Sequence, residues 1–483
     1  NKKIYFHDIN TNQESDDIIF GEKDDVNLKD ATLTVTEDQN FLIINATQDT
    51  CFSLFVKKLN SPSSPAICLT NDSHDSTFFL TSDGDNLYLS TNYQSSVYQV
   101  VKVNINRPKP SAWTRVLPKQ DNGETYSAGG KSLFSYNTTN NGQVVNQYTF
   151  DGKFVRQIST PDTRIASVLK GNTLQPRLYF KAEKLFKPAS INVFNSETGE
   201  CDTFIAPESP MNPITIESKQ VEYLSEGNSR LTMRIYFKKG IELNKDNPTI
   251  LYARNYPRMM TLGIDFYFSF WLDMGGVLAV PELINRNQSP TLMAATNYLI
   301  AAADFLVKEK YTSTSRLAIM NPKDASTGQI VGLAITQRPD LANAVIIREG
   351  TLDKHYDIKA INQDPYYKEF IAQNMTAEDI ITMKDTSPIQ QLKNDISYPS
   401  MLIIPPAYES QILSPQSYKF AATLQENMTN QNPVLLFGLL TIKKLDQLRE
   451  TVYDIVEYNA IFSFILDSMG LSYENRQYKA QTE

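Results

Sequence analysis

Residues 316–341 read Arg-Leu-Ala-Ile-Met-Asn-Pro-Lys-Asp-Ala-Ser-Thr-Gly-Gln-Ile-Val-Gly-Leu-Ala-Ile-Thr-Gln-Arg-Pro-Asp-Leu. The apolar run Leu317–Met320 predicts a buried strand, and the pattern from Gly328 onward predicts a helix after a tight turn. Hydrolytic enzymes often place a serine nucleophile on such a turn, within a Gly-x-Ser-x-Gly sequence. The corresponding residues here are Asp324-Ala325-Ser326-Thr327-Gly328, which keep only the second glycine. The frame of such a site is therefore present, and its chemistry is altered.

The surrounding half of the chain alternates between apolar runs and helical patterns. The predicted strands are Val221–Tyr223, Leu231–Phe237, Thr249–Tyr252, Gly276–Val280, Leu317–Met320, Ala344–Ile347, Met401–Ile404 and Val434–Phe437. The predicted helices are Thr291–Lys310, Gly328–Gln337, Pro415–Asn427 and Leu445–Met469. Strands that alternate with helices predict a mostly parallel, doubly wound sheet with helices on both faces.

The first half of the chain repeats a pattern of strands and turns with a period near 45 residues. The turn that precedes Leu42 recurs before Leu87, Leu133 and Leu178, and a second alternating run follows each of these strands. Four-stranded propeller blades give this pattern, although a β-sandwich or a solenoid of similar period is an alternative. We predict four blades and, at the start of the chain, the second half of another. A proline-rich junction at 210–213 divides the chain into a partial β-propeller at 1–213 and an α/β domain at 214–483.

Composition excludes several classes of function. The 483 residues carry a net charge of −8 with a pI near 5.2, which argues against a nucleic-acid partner. No window of 18 apolar residues predicts a membrane span. The three cysteines and three histidines are dispersed, so we expect neither a metal site nor a cofactor.

The compartment is not determined by the sequence, although a cytoplasmic protein is favoured. No signal peptide is visible, and the sparse cysteines are typical of reduced thiols. Secretion stays open because six glycosylation sequons are present, about the number expected by chance; they begin at Asn45, Asn71, Asn137, Asn287, Asn374 and Asn427.

The two halves together resemble the prolyl oligopeptidase family of serine peptidases. The resemblance rests on six blocks in the family's order: residues 238–243, 274–280, 308–313, 337–341, 398–402 and 419–425. It implies a seven-bladed propeller followed by an α/β-hydrolase domain that carries a Ser-His-Asp triad. Against that template we expect the N-terminal segment and the first blades to be missing, with about four and a half blades visible. We expect the missing blades either to lie upstream of residue 1 or to be supplied by another chain or fragment, because an open fan of blades would expose sheet edges.

The resemblance also assigns positions to the family's nucleophile and acid. Its serine falls on Ala325, or on Ser326 after a slip of one residue. Its aspartate falls on Glu409, and its substrate-binding arginine falls on Gln411.

The base and the oxyanion donor are replaced as well. The position of the catalytic histidine is Lys444 or Leu445, and the sequence has no histidine after His355. The oxyanion tyrosine falls on Arg254.

These losses predict a pseudoenzyme that acts as a structural or binding scaffold for a protein or peptide partner, because the triad needs an imidazole base at neutral pH. One alternative is a divergent serine-type prolyl oligopeptidase that uses Ser326, with Lys443 or Lys444 as the base. Another is a module that binds peptides without cutting them, with Tyr256, Phe268 and Trp271 as apolar candidates for the binding site.

Overall fold

The chain forms two compact units, Asn1–Ser209 and Pro210–Glu483, in a computed structural model. The predicted boundary between residues 213 and 214 lies outside the described residues. The structure describes residues 2–22, 28–47, 52–61, 64–73, 76–117, 125–139, 142–158, 164–165, 167–183, 186, 188–207, 216–254, 267–283, 290–354, 376–406, 413–429, 431–438 and 449–472.

In its described residues the first unit contains one two-stranded sheet and four antiparallel sheets of four strands each. The two-stranded sheet is β1 (Ile4–Phe6) and β2 (Asp17–Phe20). The first four-stranded sheet is β3 (Asp30–Val35), β4 (Phe41–Thr47), β5 (Phe52–Lys58) and β6 (Ile67–Ser73). The second is β7 (Thr77–Asp83), β8 (Asn86–Thr91), β9 (Gln99–Asn104) and β10 (Thr114–Leu117). The third is β11 (Thr125–Gly129), β12 (Ser132–Thr139), β13 (Gly142–Tyr148) and β14 (Phe154–Ile158). The fourth is β15 (Arg164–Ile165), β16 (Arg177–Glu183), β17 (Ser190–Asn195) and β18 (Cys201–Ile205).

The repeat read from the sequence corresponds to these sheets. Leu42, Leu87, Leu133 and Leu178 each lie on the second strand of one sheet, and all four are buried. Successive sheets share apolar clusters, because every second residue of a strand points to the same face. The two-stranded sheet packs on the first four-stranded sheet through Phe20. The prediction of four blades preceded by half a blade is confirmed.

The second unit is built around an eight-stranded sheet in the order β19-β20-β22-β21-β23-β24-β25-β26. The first pair is antiparallel, and the strands from β22 to β26 run parallel. The elements are β19 (Ile216–Leu224), β20 (Arg230–Lys238), β21 (Thr249–Tyr252), α1 (Phe268–Asp273), β22 (Val277–Pro281), α2 (Leu292–Lys308), β23 (Leu317–Met320), α3 (Ala325–Gln337), β24 (Ala344–Arg348), α4 (Ala377–Asp385), β25 (Ser400–Ile404), α5 (Leu413–Asn427), β26 (Val434–Leu436) and α6 (Arg449–Ser468).

This order confirms the predicted α/β-hydrolase sheet, and its parallel strands place the candidate site. The carboxyl ends of β21, β23 and β24 meet at one edge of the sheet because these strands are parallel neighbours. Ligands of open α/β sheets bind at this edge. The sequence missed α1 and α4, and it placed the start of α3 three residues late, at Gly328. The helix begins at Ala325 because the carboxylate of Asp324 caps it, accepting a 2.8 Å hydrogen bond from the Thr327 amide.

Candidate active site

The turn between β23 and α3 is held by one buried side chain. Asn321, which is fully buried, donates from its amide nitrogen to the carbonyls of Pro322, Asp324 and Arg348 at 2.6, 3.1 and 2.8 Å. Its amide oxygen accepts a 2.8 Å hydrogen bond from the backbone N–H of Arg348. A buried amide with all these partners fixes the turn and joins it to the end of β24.

The two predicted nucleophile positions open the helix that follows. Ala325 and Ser326 are the first two residues of α3, and Ser326 is exposed. The Ser326 hydroxyl donates to Asp324 Oδ1 over 2.8 Å. Between Asn321 and Ser326 no residue has a positive φ, and Asp324 is extended at φ −149°. The serine therefore lies on a relaxed helical turn, and its hydroxyl is oriented by the capping carboxylate.

The retained glycine has a steric reason. A Cβ atom added to Gly328 would lie 2.4 Å from the Cα atom of Gly350, in the segment that follows β24. In the same place the Thr351 amide donates to the Ala325 carbonyl over 3.0 Å. The first turn of α3 therefore touches the backbone beyond β24 directly, and only glycine permits this approach.

Charged side chains gather at the same edge of the sheet. Arg348 Nε lies 2.6 Å from Glu457 Oε1, and both side chains are almost completely buried. Lys323 Nζ lies 2.7 Å from Asp454 Oδ1 and 3.0 Å from Glu457 Oε2. Burial disfavours the charged Lys323 amine, but the hydrogen bond to Asp454 and the charge of Glu457 outweigh it, so the pKa of Lys323 is raised. These ion pairs join the turn and β24 to α6.

Sequence reasoning missed Arg348, Glu349 and the acidic residues of α6. The available signal was the Arg348-Glu349 pair, because charges directly after a fully apolar run must lie at the carboxyl end of a buried strand. Nothing comparable marked Glu457, since one acidic residue on an amphipathic helix is typical of a solvent-facing position.

The predicted oxyanion residue also lies at this edge. Arg254 follows the carboxyl end of β21, where the Ala253 amide donates to the Met320 carbonyl over 2.8 Å. Its backbone forms an isolated bridge with Glu282, and the residue is partly buried. Arg254 and Ser326 therefore follow adjacent parallel strands.

The apolar candidates have another role. Phe268 and Trp271 are 0% exposed, and the Trp271 indole donates to the Val277 carbonyl over 2.9 Å. Trp271 stacks on Phe462 of α6, and Phe268 meets the same ring edge to face. Both belong to the core, so they line no peptide site. Tyr256 lies outside the described residues.

Several other predicted positions also lie outside the described residues, and their assignments stay predictions. They are Glu409, Gln411, Lys443, Lys444, Leu445 and His355. The described part of the chain holds no cluster of His, Cys, Asp and Glu that suits a metal ion. Of the helices that the structure describes, none has the length and apolarity needed to cross a bilayer.

Two family models match the chain in the order of its units. Residues 1–205 match the prolyl oligopeptidase N-terminal β-propeller domain. Residues 296–470 match the prolyl oligopeptidase family itself.

Curated relatives and solved structures agree with these matches. The prolyl endopeptidase of Elizabethkingia meningoseptica is 28% identical over 482 residues, which are 97% of this chain and 68% of the relative. That of Elizabethkingia miricola is 27% identical over 481 residues, with the same coverage. In fold, the chain is similar to prolyl oligopeptidase B from Galerina marginata, with a TM-score of 0.74, 19% identity and coverage of 98% of this chain and 68% of that one. Oligopeptidase B from Leishmania major gives a TM-score of 0.75 at 14% identity, covering 97% and 69%.

The predicted inert scaffold is therefore corrected. Similarity to prolyl endopeptidases extends over 97% of the chain and includes both units, so the prediction of an inert scaffold, which rested on single positions, is wrong. The similarity supports the alternative of a divergent serine peptidase. With its N-terminal β-propeller and its peptidase domain, the chain belongs to the prolyl oligopeptidase family.

Proposed function

We propose that this protein is a serine-type oligopeptidase that cleaves short proline-containing peptides with the hydroxyl of Ser326. The observation that carries the proposal is the exposed Ser326 hydroxyl, held by Asp324 at the carboxyl end of β23, in a chain similar to prolyl endopeptidases along its whole length. Ser326 is preferred to Ala325 because a methyl group cannot attack a carbonyl carbon.

The start of α3 supports this chemistry electrostatically. Attack of the serine oxygen on a peptide carbonyl turns the carbonyl oxygen into an oxyanion. The amino-terminal end of a helix carries partial positive charge, which stabilises such an oxyanion. Arg254, which follows the neighbouring strand, is the candidate for a second donor.

Asp324 suits an orienting role better than that of the base. Its Oδ1 atom accepts hydrogen bonds from the Ser326 hydroxyl, the Thr327 amide and the Thr327 hydroxyl at 2.8, 2.8 and 2.9 Å. Three such bonds fix the orientation of the carboxylate and occupy the oxygen that faces the serine hydroxyl.

The proposal therefore assigns the base to Lys443 or Lys444, in the segment between β26 and α6. A neutral lysine amine would take the serine proton during attack and return it to the leaving amine when the peptide bond breaks.

The test is hydrolysis of a fluorogenic Gly-Pro amide by the full chain. We expect Ser326→Ala to lower kcat/KM by about a thousandfold or more, since the nucleophile is lost. Ser313→Ala, which removes a serine hydroxyl from the segment before β23, is the matched control and leaves the rate unchanged. A Gly-Ala amide tests the preference for proline.

Two outcomes contradict the proposal. Hydrolysis that persists in Ser326→Ala excludes this serine as the nucleophile. An absence of hydrolysis by the wild-type chain, together with binding of the same peptide in calorimetry, indicates a peptide-binding module. Lys443→Ala and Lys444→Ala, tested separately, identify the base.

A further inference from the structure

Five charged side chains meet at the carboxyl ends of β23 and β24, and their charges do not balance. They are Lys323, Arg348, Glu349, Asp454 and Glu457. Both cations are already engaged: Arg348 pairs with Glu457 at 2.6 Å, and Lys323 pairs with Asp454 and Glu457 at 2.7 and 3.0 Å. Arg348 also lies over the ring of Tyr458, 5.0 Å from its centroid. Glu349 is the third carboxylate beside two cations.

The Glu349 carboxylate has no hydrogen-bond partner among the described residues. Its side chain is only partly exposed, so water solvates it incompletely. Burial raises the pKa of Glu349, the charges of Lys323 and Arg348 act in the opposite direction, and Glu457 adds to the rise. A carboxylate in this position is stabilised by any group that brings both positive charge and N–H donors.

The backbone places Glu349 directly before two residues that touch the first turn of α3, the turn that carries Ser326. Glu349 has a left-handed backbone, with φ of 54°, and its amide donates to the Ile404 carbonyl of β25 over 2.8 Å. The next two residues, Gly350 and Thr351, touch the first turn of α3. A non-glycine residue held in this conformation is typical of functional sites.

We propose that Glu349 is a recognition residue for a cationic nitrogen of the bound peptide. The ligand group is an ammonium or a guanidinium that donates hydrogen bonds to the Glu349 carboxylate. It comes from the free amino terminus of the peptide or from a lysine or arginine side chain. This inference rests on the proposed function only in placing a peptide next to Ser326.

The charges around Glu349 explain how such a site would prefer a cationic peptide to a neutral one. Lys323 and Arg348 would repel a ligand cation, but their charges are largely cancelled by Asp454 and Glu457. The net charge of the five groups is negative while Glu349 is ionised. Cation binding should therefore weaken as the pH falls through the raised pKa of Glu349, since the carboxyl group becomes neutral.

The test measures peptide binding by calorimetry in the Ser326→Ala background, which prevents cleavage. Three forms of one Gly-Pro peptide are compared: with a free amino terminus, acetylated, and acetylated with one lysine. We expect at least one cationic form to bind about tenfold more tightly than the neutral one, the usual effect of a charge-assisted hydrogen bond. Glu349→Gln should abolish the difference, and Glu349→Asp should restore part of it.

Glu309→Gln is the matched control, because Glu309 is exposed and lies before the amino end of β23. It should leave the difference unchanged. The inference is overturned if the three peptides bind equally, or if the difference persists in Glu349→Gln. If the wild-type chain cleaves none of them, the proposed peptidase function fails, while charge-dependent binding that Glu349→Gln removes still supports the inference.

Discussion

Strand β16 of the first unit and strand β24 of the second bury their side chains in opposite ways. Along β16 in the first unit, buried and exposed residues alternate, with Leu178, Phe180 and Ala182 inside. Along β24 in the second unit, every residue is buried. The difference follows from packing, since β16 has one covered face and the strands of a doubly wound parallel sheet have two.

This difference in burial decides where along a strand a charged side chain can be placed. A strand with one covered face, such as β16, accommodates a polar or charged residue at every second position, so no single position stands out. A strand buried on both faces accommodates charge only at its ends, and β24 ends with Arg348 followed by Glu349. The charges that end β24 thereby lie at the edge of the sheet where the first turn of α3 carries Ser326. Variants of β16 and of β24 test this difference.

The largest effect is expected from breaking the buried ion pair. Arg348→Met leaves the buried Glu457 paired with Lys323 alone among the described cations, which should lower the free energy of unfolding of the second unit by up to about 3–5 kcal/mol. The blade counterpart is Lys181→Met, which removes the exposed partner of Glu183 and should cost less than about 1 kcal/mol.

Urea unfolding measures both variants. The double variant Arg348→Met/Glu457→Met should recover most of the loss, because neither charge is left unpaired. Equal losses in Arg348→Met and Lys181→Met would show that burial does not distinguish the two pairs.

A smaller effect is expected from Gly328→Ala. Alanine usually stabilises a helix interior relative to glycine by about 1 kcal/mol, but here the added methyl group meets backbone at Gly350. We expect a net destabilisation of about 1–3 kcal/mol, as in other overpacked sites. Gly84, in a blade turn, is the control: its added Cβ has open space, and only its φ of 55° opposes alanine. Thermal unfolding compares them, and a stabilised Gly328→Ala variant would contradict the close approach of α3 to Gly350.

The helix cap gives the third effect. Asp324→Ala removes the acceptor for the Thr327 amide and should destabilise the second unit by about 1 kcal/mol. Asp324→Asn keeps a capping oxygen and should cost less. Thr291→Ala, which removes the cap of α2, is the matched comparison for stability. With a peptidase assay, Asp324→Ala should also slow cleavage, whereas Thr291→Ala should not; equal effects on the rate would argue against an orienting role for Asp324.

The sequence predicted elements whose pattern is local. Leu42 and its three counterparts repeat because each blade has its own turn followed by an apolar second strand, and β24 appears as an unbroken apolar run. Pairings between distant segments were not predictable in this way. Glu457 lies 109 residues from Arg348, and its polarity alone is equally typical of an exposed helical face.

In the candidate site, too, local features were predictable from the sequence and contacts between distant residues were not. Ser326 could be named from its motif, because the strand, the turn and the helix are consecutive. The altered triad positions led to the wrong prediction of an inert scaffold, since single positions weighed more than the similarity of the whole chain to prolyl endopeptidases. The sequence could not show whether Phe268 and Trp271 lie in the core or in a binding site, because aromatic residues are common in both places.

The smallest effect is expected from removing the charge of Glu349, directly after β24. Because folding raises the pKa of Glu349, the folded state holds its proton more tightly than the unfolded state does. The protonated Glu349 side chain therefore contributes stability to the folded state. This contribution is complete below the ordinary glutamate pKa of 4.5 and is lost as the pH rises through the raised pKa of Glu349 in the folded state. Glu349→Gln should therefore stabilise the second unit at neutral pH by no more than about 1 kcal/mol, since solvent screens the half-exposed carboxylate, and this gain should vanish in acid. Thermal unfolding from pH 4 to pH 8 measures the difference, with the blade variant Glu183→Gln for comparison. A loss of stability in Glu349→Gln at neutral pH would show that the Glu349 carboxylate already has a partner when the chain is folded.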